Sequence, residues 1–196
     1  DAFREAGFPD GVVNLVTGPG STVGNALTES PDVAGVTFTG SMEVGMGIYR
    51  KFAEFKYPRP VILEMGGKNP SIISKNANIE DAALGCVRSA FGLQGQKCSA
   101  NSRIYVEEAV YDQFVSRVTE LTNTLNVGDP TKRDTYMGPV INKKSYNDYM
   151  TFVNDLAAAG RILTGGKHLT EGEMALGYFC APTVVVDVPL DHYIWK

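Results

Sequence analysis

The chain has 196 residues, 43% hydrophobic and 20% charged, with a net charge of −4. That is the balance of an ordinary folded globular protein. No Lys/Arg cluster stands out, which argues against nucleic acid or an anionic membrane surface as the main partner, and no apolar run approaches the roughly 20 residues of a membrane-spanning helix.

In chain order, Val12-Val13-Asn14-Leu15-Val16 reads as a short strand ending in Gly18-Pro19-Gly20, with a helical stretch to about Thr28. Gly35 to Thr39 reads as the next strand. Ser41 is a good N-cap for a helix whose Val44, Ile48, Phe52 and Phe55 fall on one face. These two strand–turn–helix units look like half of a Rossmann-type sheet. Tyr57-Pro58-Arg59-Pro60 breaks the pattern as a linker or domain crossing. Val61 to Leu63 then reads as a buried strand leading to Glu64, and Pro70 to Ser74 as another.

Asn78, with Asp81 three residues on, starts a helix in a capping-box-like arrangement, and that helix is expected to run to about Leu93. A strand at Arg103–Val106 follows, then a helix striped by Val110, Phe114, Val118, Leu121 and Leu125. The spacing predicts a loop over 128–139, a helix over 143–159 and strands over 161–164 and 178–186. Alternation of strand and helix favours an α/β layered fold. We expect two domains, 1–62 and 63–196, within the size prior for such a chain. Asp1 to Glu5 carries no initiator Met and no signal-peptide pattern; it reads as the middle of a helix, as in an internal piece of a longer protein.

Cysteines stand at 86, 98 and 180, an odd number with no CxxC pair. A disulfide framework is not expected, and a reducing, cytoplasmic setting fits better. His168 and His192 lie at no metal-ligand spacing, so no metal site is expected. They read, with Trp195, as surface or packing residues. Cys86, in an Ala/Val/Phe-rich helix, and Cys180, in an apolar stretch, read as small core residues. Cys98 differs. It lies in Gly95-Gln96-Lys97-Cys98-Ser99-Ala100, a small-residue turn where a helix hands over to a strand, and such a turn can expose sulfur and offer backbone N–H groups to an oxyanion. No histidine lies nearby to suggest a papain-like dyad.

The second distinctive segment is Leu63-Glu64-Met65-Gly66-Gly67-Lys68-Asn69-Pro70. Read alone, Glu64 is either a partnered structural carboxylate or a general base, with an apolar neighbourhood expected to raise its pKa; the glycines after it allow close backbone approach. A carboxylate base and a thiol nucleophile are the two side chains needed to make and then hydrolyse a thioester. Gly40-Ser41-Met42-Glu43-Val44-Gly45 at a strand-to-helix turn lacks the Lys and Ser/Thr of a P-loop, and a plain turn with an N-cap explains it about as well as phosphate binding. Gly18-Pro19-Gly20 with Gly24 misses the standard GxGxxG by one residue.

Together the Glu64 and Cys98 segments resemble the aldehyde dehydrogenase superfamily, and the resemblance runs from Gly11-Val12-Val13-Asn14 to Ala181-Pro182-Thr183-Val184. It implies an aldehyde dehydrogenase-like fold, the end of a Rossmann-type NAD(P)-binding domain followed by an α/β catalytic domain. Cys98 would be the nucleophile and Glu64 the base, and an NAD or NADP cofactor would run past Gly18, Gly20, Gly40, Ser41, Gly45, Met65 and Gly66. Family members are well over twice this length and form homo-oligomers. A small aldehyde would be the partner. The Gly92-to-Arg103 stretch looks most like the 1-pyrroline-5-carboxylate (glutamate semialdehyde) branch, in which the residue matching Ser99 holds the substrate carboxylate. Other aldehyde dehydrogenases, such as those of succinate semialdehyde, stay open. So do a non-catalytic family member and a thiol hydrolase or acyltransferase that uses Cys98 without a cofactor.

Overall fold

The computed structural model describes residues 1–195. The chain forms two compact units, Asp1–Gly66 and Gly67–Lys196. The first contains a short helix α1 (Ala2–Glu5), a π-helical turn at Gly20–Gly24 that runs into α2 (Asn25–Glu29), strand β1 (Val36–Gly40), helix α3 (Met42–Ala53) and strand β2 (Val61–Met65). β1 and β2 pair in parallel, with Thr39 opposite Glu64 and Gly40 opposite Met65. Parallel neighbours need a crossover, and α3 supplies it. Ser41 caps α3 as expected, its Oγ accepting from the Val44 N–H at 3.3 Å.

The buried residues of α3 are Gly45, Ile48 and Phe52. The i, i+3, i+7 spacing puts them on one face. Val44, expected on that face, is 52% exposed. The Tyr57–Pro60 break is more than a connector. Arg59 donates to the carbonyls of Ser30, Pro31 and Val33 at 2.9–3.0 Å and stacks its guanidinium 3.7 Å from the Phe55 ring.

Two expectations for this unit fail. Val12–Val16 forms no strand, and Leu15 is 90% exposed. A strand needs a ladder partner for its backbone groups; among the described residues none pairs with this run, so the sheet here has two strands and one strand–turn–helix unit rather than two. β2 is also less buried than expected. Val61, Leu63 and Met65 are half-buried, whereas Ile62 and Glu64 are exposed, the alternation of a strand covered on one face only.

The second unit contains β3 (Asn69–Ile73), α4 (Ile79–Phe91), β4 (Asn101–Val106), α5 (Tyr111–Asn123), α6 (Lys143–Ala159), β5 (Arg161–Thr164) and β6 (Val184–Val186). β3 and β4 are parallel, with α4 as their crossover, and β5 and β6 are antiparallel. Asn78 caps α4 by accepting from the N–H groups of Glu80 and Asp81 while its Nδ2 donates to Asp81 Oδ2. The core comprises Ile73, Ala83, Cys86, Val87, Phe114 and Val118, with Ile104, Val106 and Val184 at its margin. Phe114 is 2% exposed, and truncating such a residue to Ala costs about 3–5 kcal/mol.

α4 ends at Phe91 rather than Leu93. Beyond it Leu93, Gln94 and Gly95 have φ of 52°, 57° and 70°, a left-handed turn that cannot continue a right-handed helix. The strand expected over 178–186 shrinks to Val184–Val186. Pro182 has no N–H to give a ladder, and Cys180 makes only an isolated bridge to His168. His168 is a packing residue, as expected: its ring stacks on Tyr146 with centroids 3.4 Å apart.

Candidate active site

Burial separates the three cysteines. Cys86 and Cys180 are buried, and Cys98 is exposed. Burial pushes the Cys86 thiol up, against a smaller opposing effect of its hydrogen bond with Ser71. It pushes Cys180 up to about 11. Both are therefore thiols rather than thiolates near neutrality, inert as nucleophiles. Cys98 sits in a turn closed by the Ala100 N–H donating to Lys97 O at 3.1 Å.

The turn is tethered on both sides. Upstream, Gln96 Oε1 accepts from the Ile141 N–H at 3.1 Å. Downstream, the Asn101 N–H donates to Ser89 Oγ at 3.2 Å. Between them, Asn69 Nδ2 donates to the carbonyls of Cys98, at 2.5 Å, and of Ala100, at 3.1 Å. The structure thus joins the Lys68-Asn69-Pro70 end of the carboxylate segment to the cysteine segment through one side chain. Asn69 received no role from the sequence. The available signal was its place before Pro70, which lacks a ladder N–H and leaves neighbouring carbonyls to be satisfied by side chains. Ser99 is exposed beside Cys98.

Glu64 lies at the end of the first unit, on the exposed face of β2. The desolvating apolar neighbourhood expected around it is absent, because its strand is covered on the opposite face. Its carboxylate makes no hydrogen bond among the described residues. Gly66 follows in open space, with nothing within 4 Å of where a Cβ would stand.

The glycines expected along a cofactor have mixed surroundings. A Cβ on Gly45 would stand 2.7 Å from Met65 Sδ, and one on Gly40 would stand 2.4 Å from Phe38 Cζ. Close packing inside the unit accounts for both residues. A Cβ on Gly18 would meet Val23 Cγ2, whereas Gly20 and Gly24 are open. Ser41 and Gly40 are exposed at the start of α3. The Ser41 cap satisfies the Val44 N–H, and Met42 and Glu43 are exposed at the positive end of a twelve-residue helix. Such a helix start fits a phosphate group.

Among the described residues no cluster of three or more potential metal ligands occurs, and no helix is long and apolar enough to cross a membrane.

Comparison with known proteins gives the site a context. The model of the aldehyde dehydrogenase family matches residues 1–196. A 1-pyrroline-5-carboxylate dehydrogenase of Geobacillus kaustophilus is 46% identical over 192 residues, covering 96% of this chain and 36% of that protein. A crystal structure of 1-pyrroline-5-carboxylate dehydrogenase from Thermus with bound NAD superposes with a TM-score of 0.90 at 38% identity, over 99% of this chain and 37% of that one. Betaine aldehyde dehydrogenase from Staphylococcus aureus, in complex with NAD+, gives a TM-score of 0.91 at 33% identity, over 98% and 38%. The chain therefore spans little more than a third of the length of its relatives, and the fold is α/β of the aldehyde dehydrogenase kind.

Proposed function

Because the chain belongs to the aldehyde dehydrogenase family, we propose that the enzyme containing it oxidises an aldehyde to a carboxylic acid with NAD or NADP, with Cys98 as nucleophile and Glu64 as base. The observation that carries this reading is the exposure of Cys98 in a tethered turn while Cys86 and Cys180 are buried. The Cys98 thiolate adds to the aldehyde carbon and forms a thiohemiacetal. The nicotinamide supplies the hydride acceptor when bound; Gly40 and Ser41 at the start of α3, with Gly18 and Gly20, would hold the cofactor. Loss of hydride from the thiohemiacetal carbon leaves a thioester on Cys98; Glu64 takes the proton from a water as it attacks the thioester carbon, and the C–S bond breaks to release the carboxylic acid and the Cys98 thiolate. Among the described residues no hydrogen bond occupies the Glu64 carboxylate, which leaves its oxygens open to a water. Residues 1–62 belong on this reading to the cofactor domain and 63–196 to the catalytic domain. Glu64 lies in β2, the last strand of the first unit, and the next unit carries Cys98.

For the substrate we propose glutamate semialdehyde, the open form of 1-pyrroline-5-carboxylate, with exposed Ser99 beside the nucleophile to bind its carboxylate. The 46% identity to the Geobacillus enzyme of that name supports the choice. The test uses the full-length enzyme. Cys98→Ala should lose NAD(P)H formation by several orders of magnitude while cofactor binding survives. Glu64→Gln should give one rapid turnover, about one NAD(P)H per site, followed by a much slower steady rate. Retention of more than a few per cent of activity by Cys98→Ala refutes the nucleophile. Joint loss of burst and steady state in Glu64→Gln moves Glu64 to an earlier step.

A further inference from the structure

We infer that Asn69 is a positioning residue for Cys98, the group that aims the nucleophile; this rests on the reading of Cys98 above. Its carboxamide faces two carbonyl oxygens, those of Cys98 and Ala100, at 2.5 and 3.1 Å. Only the NH2 end of an amide can serve two acceptors. The place where it does so is one where backbone pairing fails. Asn69 stands opposite Asn101 in the β3–β4 ladder, but Pro70 stands opposite Arg103, so the register slips by one residue between them. The Asn69 side chain supplies the donors that the ladder does not. Ser102, the residue passed over by the slip, reaches back with its Oγ toward Asn69 O at 3.5 Å.

The consequence for Cys98 follows from peptide geometry. A trans peptide is planar, and its C=O and N–H point to opposite sides. Holding the Cys98 carbonyl toward Asn69 therefore fixes the plane of the 98–99 peptide and, with it, ψ of Cys98. Holding the Ala100 carbonyl fixes the 100–101 peptide, whose N–H donates the other way to Ser89 Oγ. Two planes set by one side chain leave Ser99 between them little freedom.

The upstream side needs this restraint. Leu93, Gln94 and Gly95 occupy the left-handed region, which is disfavoured for residues other than glycine. A backbone so placed relaxes unless both of its ends are held. Helix α4 holds its N-terminal end, and beyond it Gln96, through Ile141, and Asn69, through the Cys98 and Ala100 carbonyls, hold the other. Misplacing a reacting atom by about 1 Å can cost on the order of a hundredfold in rate.

The test compares Asn69→Asp and Asn69→Ala with wild type and with Cys98→Ala in the full-length enzyme. Asp has the size of Asn but offers carbonyl oxygens an acceptor in place of a donor. Both variants should lower kcat by about 10- to 100-fold, with Asp the worse, and leave KM for aldehyde and for NAD(P) within about threefold of wild type. Alkylation of Cys98 by iodoacetamide, followed by peptide mass spectrometry, should change in rate and in pH profile, with buried Cys86 and Cys180 remaining unlabelled as internal controls.

Wild-type kcat and Cys98 alkylation in Asn69→Asp overturn the proposal. So does a large fall in melting temperature in both variants, or labelling of Cys86 and Cys180, because Asn69 would then hold the fold rather than the turn. An active Cys98→Ala enzyme overturns the underlying reading instead. An inactive Cys98→Ala beside a fully active Asn69→Asp removes only the role of Asn69.

Discussion

Cys86 and Cys180 are buried where Cys98 is exposed, and burial alone changes how a thiol titrates. The Cys180 thiol is 6% exposed and raised from 9.0 to about 11. Its folded-state pKa lies above its unfolded value, so the folded protein holds this proton more tightly than the unfolded one. The stability it contributes is present in full below pH 9 and is lost as pH rises toward about 11. Unfolding by denaturant from pH 8 to 11 should show a decline that is shallower in Cys180→Ala; equal slopes would sink the assignment. Ser99, beside the exposed cysteine, gives a second prediction. If its hydroxyl holds a substrate carboxylate, Ser99→Ala should raise KM for glutamate semialdehyde about ten- to hundredfold, matching a charge-assisted hydrogen bond of about 1.5–3 kcal/mol. An uncharged aldehyde of similar length should be little affected. Equal changes for both aldehydes would leave an aldehyde dehydrogenase with no claim on that substrate.

At the level of elements, the junction between α4 and the cysteine turn is the sensitive one. Gly95 has φ of +70°, and a Cβ there would stand 2.9 Å from the backbone oxygen of Ala90. Because that obstacle is backbone, it cannot swing away. Gly95→Ala should destabilise the protein by about 1–2 kcal/mol, read as a lower denaturation midpoint at unchanged slope; an unchanged midpoint would show that the turn is soft. This junction also marks the limit of what the sequence reveals. The helices α3, α4, α5 and α6 were legible because apolar spacing and side-chain caps at Ser41 and Asn78 are local. The strand at 12–16 was not, because a strand exists only if another pairs with it, and partners are not local. The left-handed Leu93-Gln94 pair left no trace in residue type. Glu64 and Cys98 stood out by motif. The tether from Asn69 to the Cys98 turn spans 29 residues and depends on a ladder slip that no pattern of residues announces.

On the scale of the whole molecule, the described residues hold three sheets of two strands each. A two-stranded sheet is marginal without further packing, and each leaves its outer edges unpaired, a template for association with other chains. Large apolar side chains add to this: Leu176 is 91% exposed, Leu190 82%, and Ile72 and Ile141 79% each. The chain also spans only 36% of the Geobacillus enzyme. Both proposed reacting side chains are present, yet a nucleophile and a base do not make a catalyst. Removing a single oxyanion donor from an acyl-transfer site costs about a hundred- to a thousandfold, and a loosely held cofactor lowers turnover further. Residues 1–196 expressed alone should therefore fold in part, associate, and show no NAD(P)H formation with any aldehyde above the Cys98→Ala background. Light scattering and gel filtration would report the association, and circular dichroism the helical content. Cofactor-dependent turnover by a monomeric 1–196 polypeptide would show that these residues hold a complete cofactor site, and that the rest of the relatives' length serves something other than the chemistry.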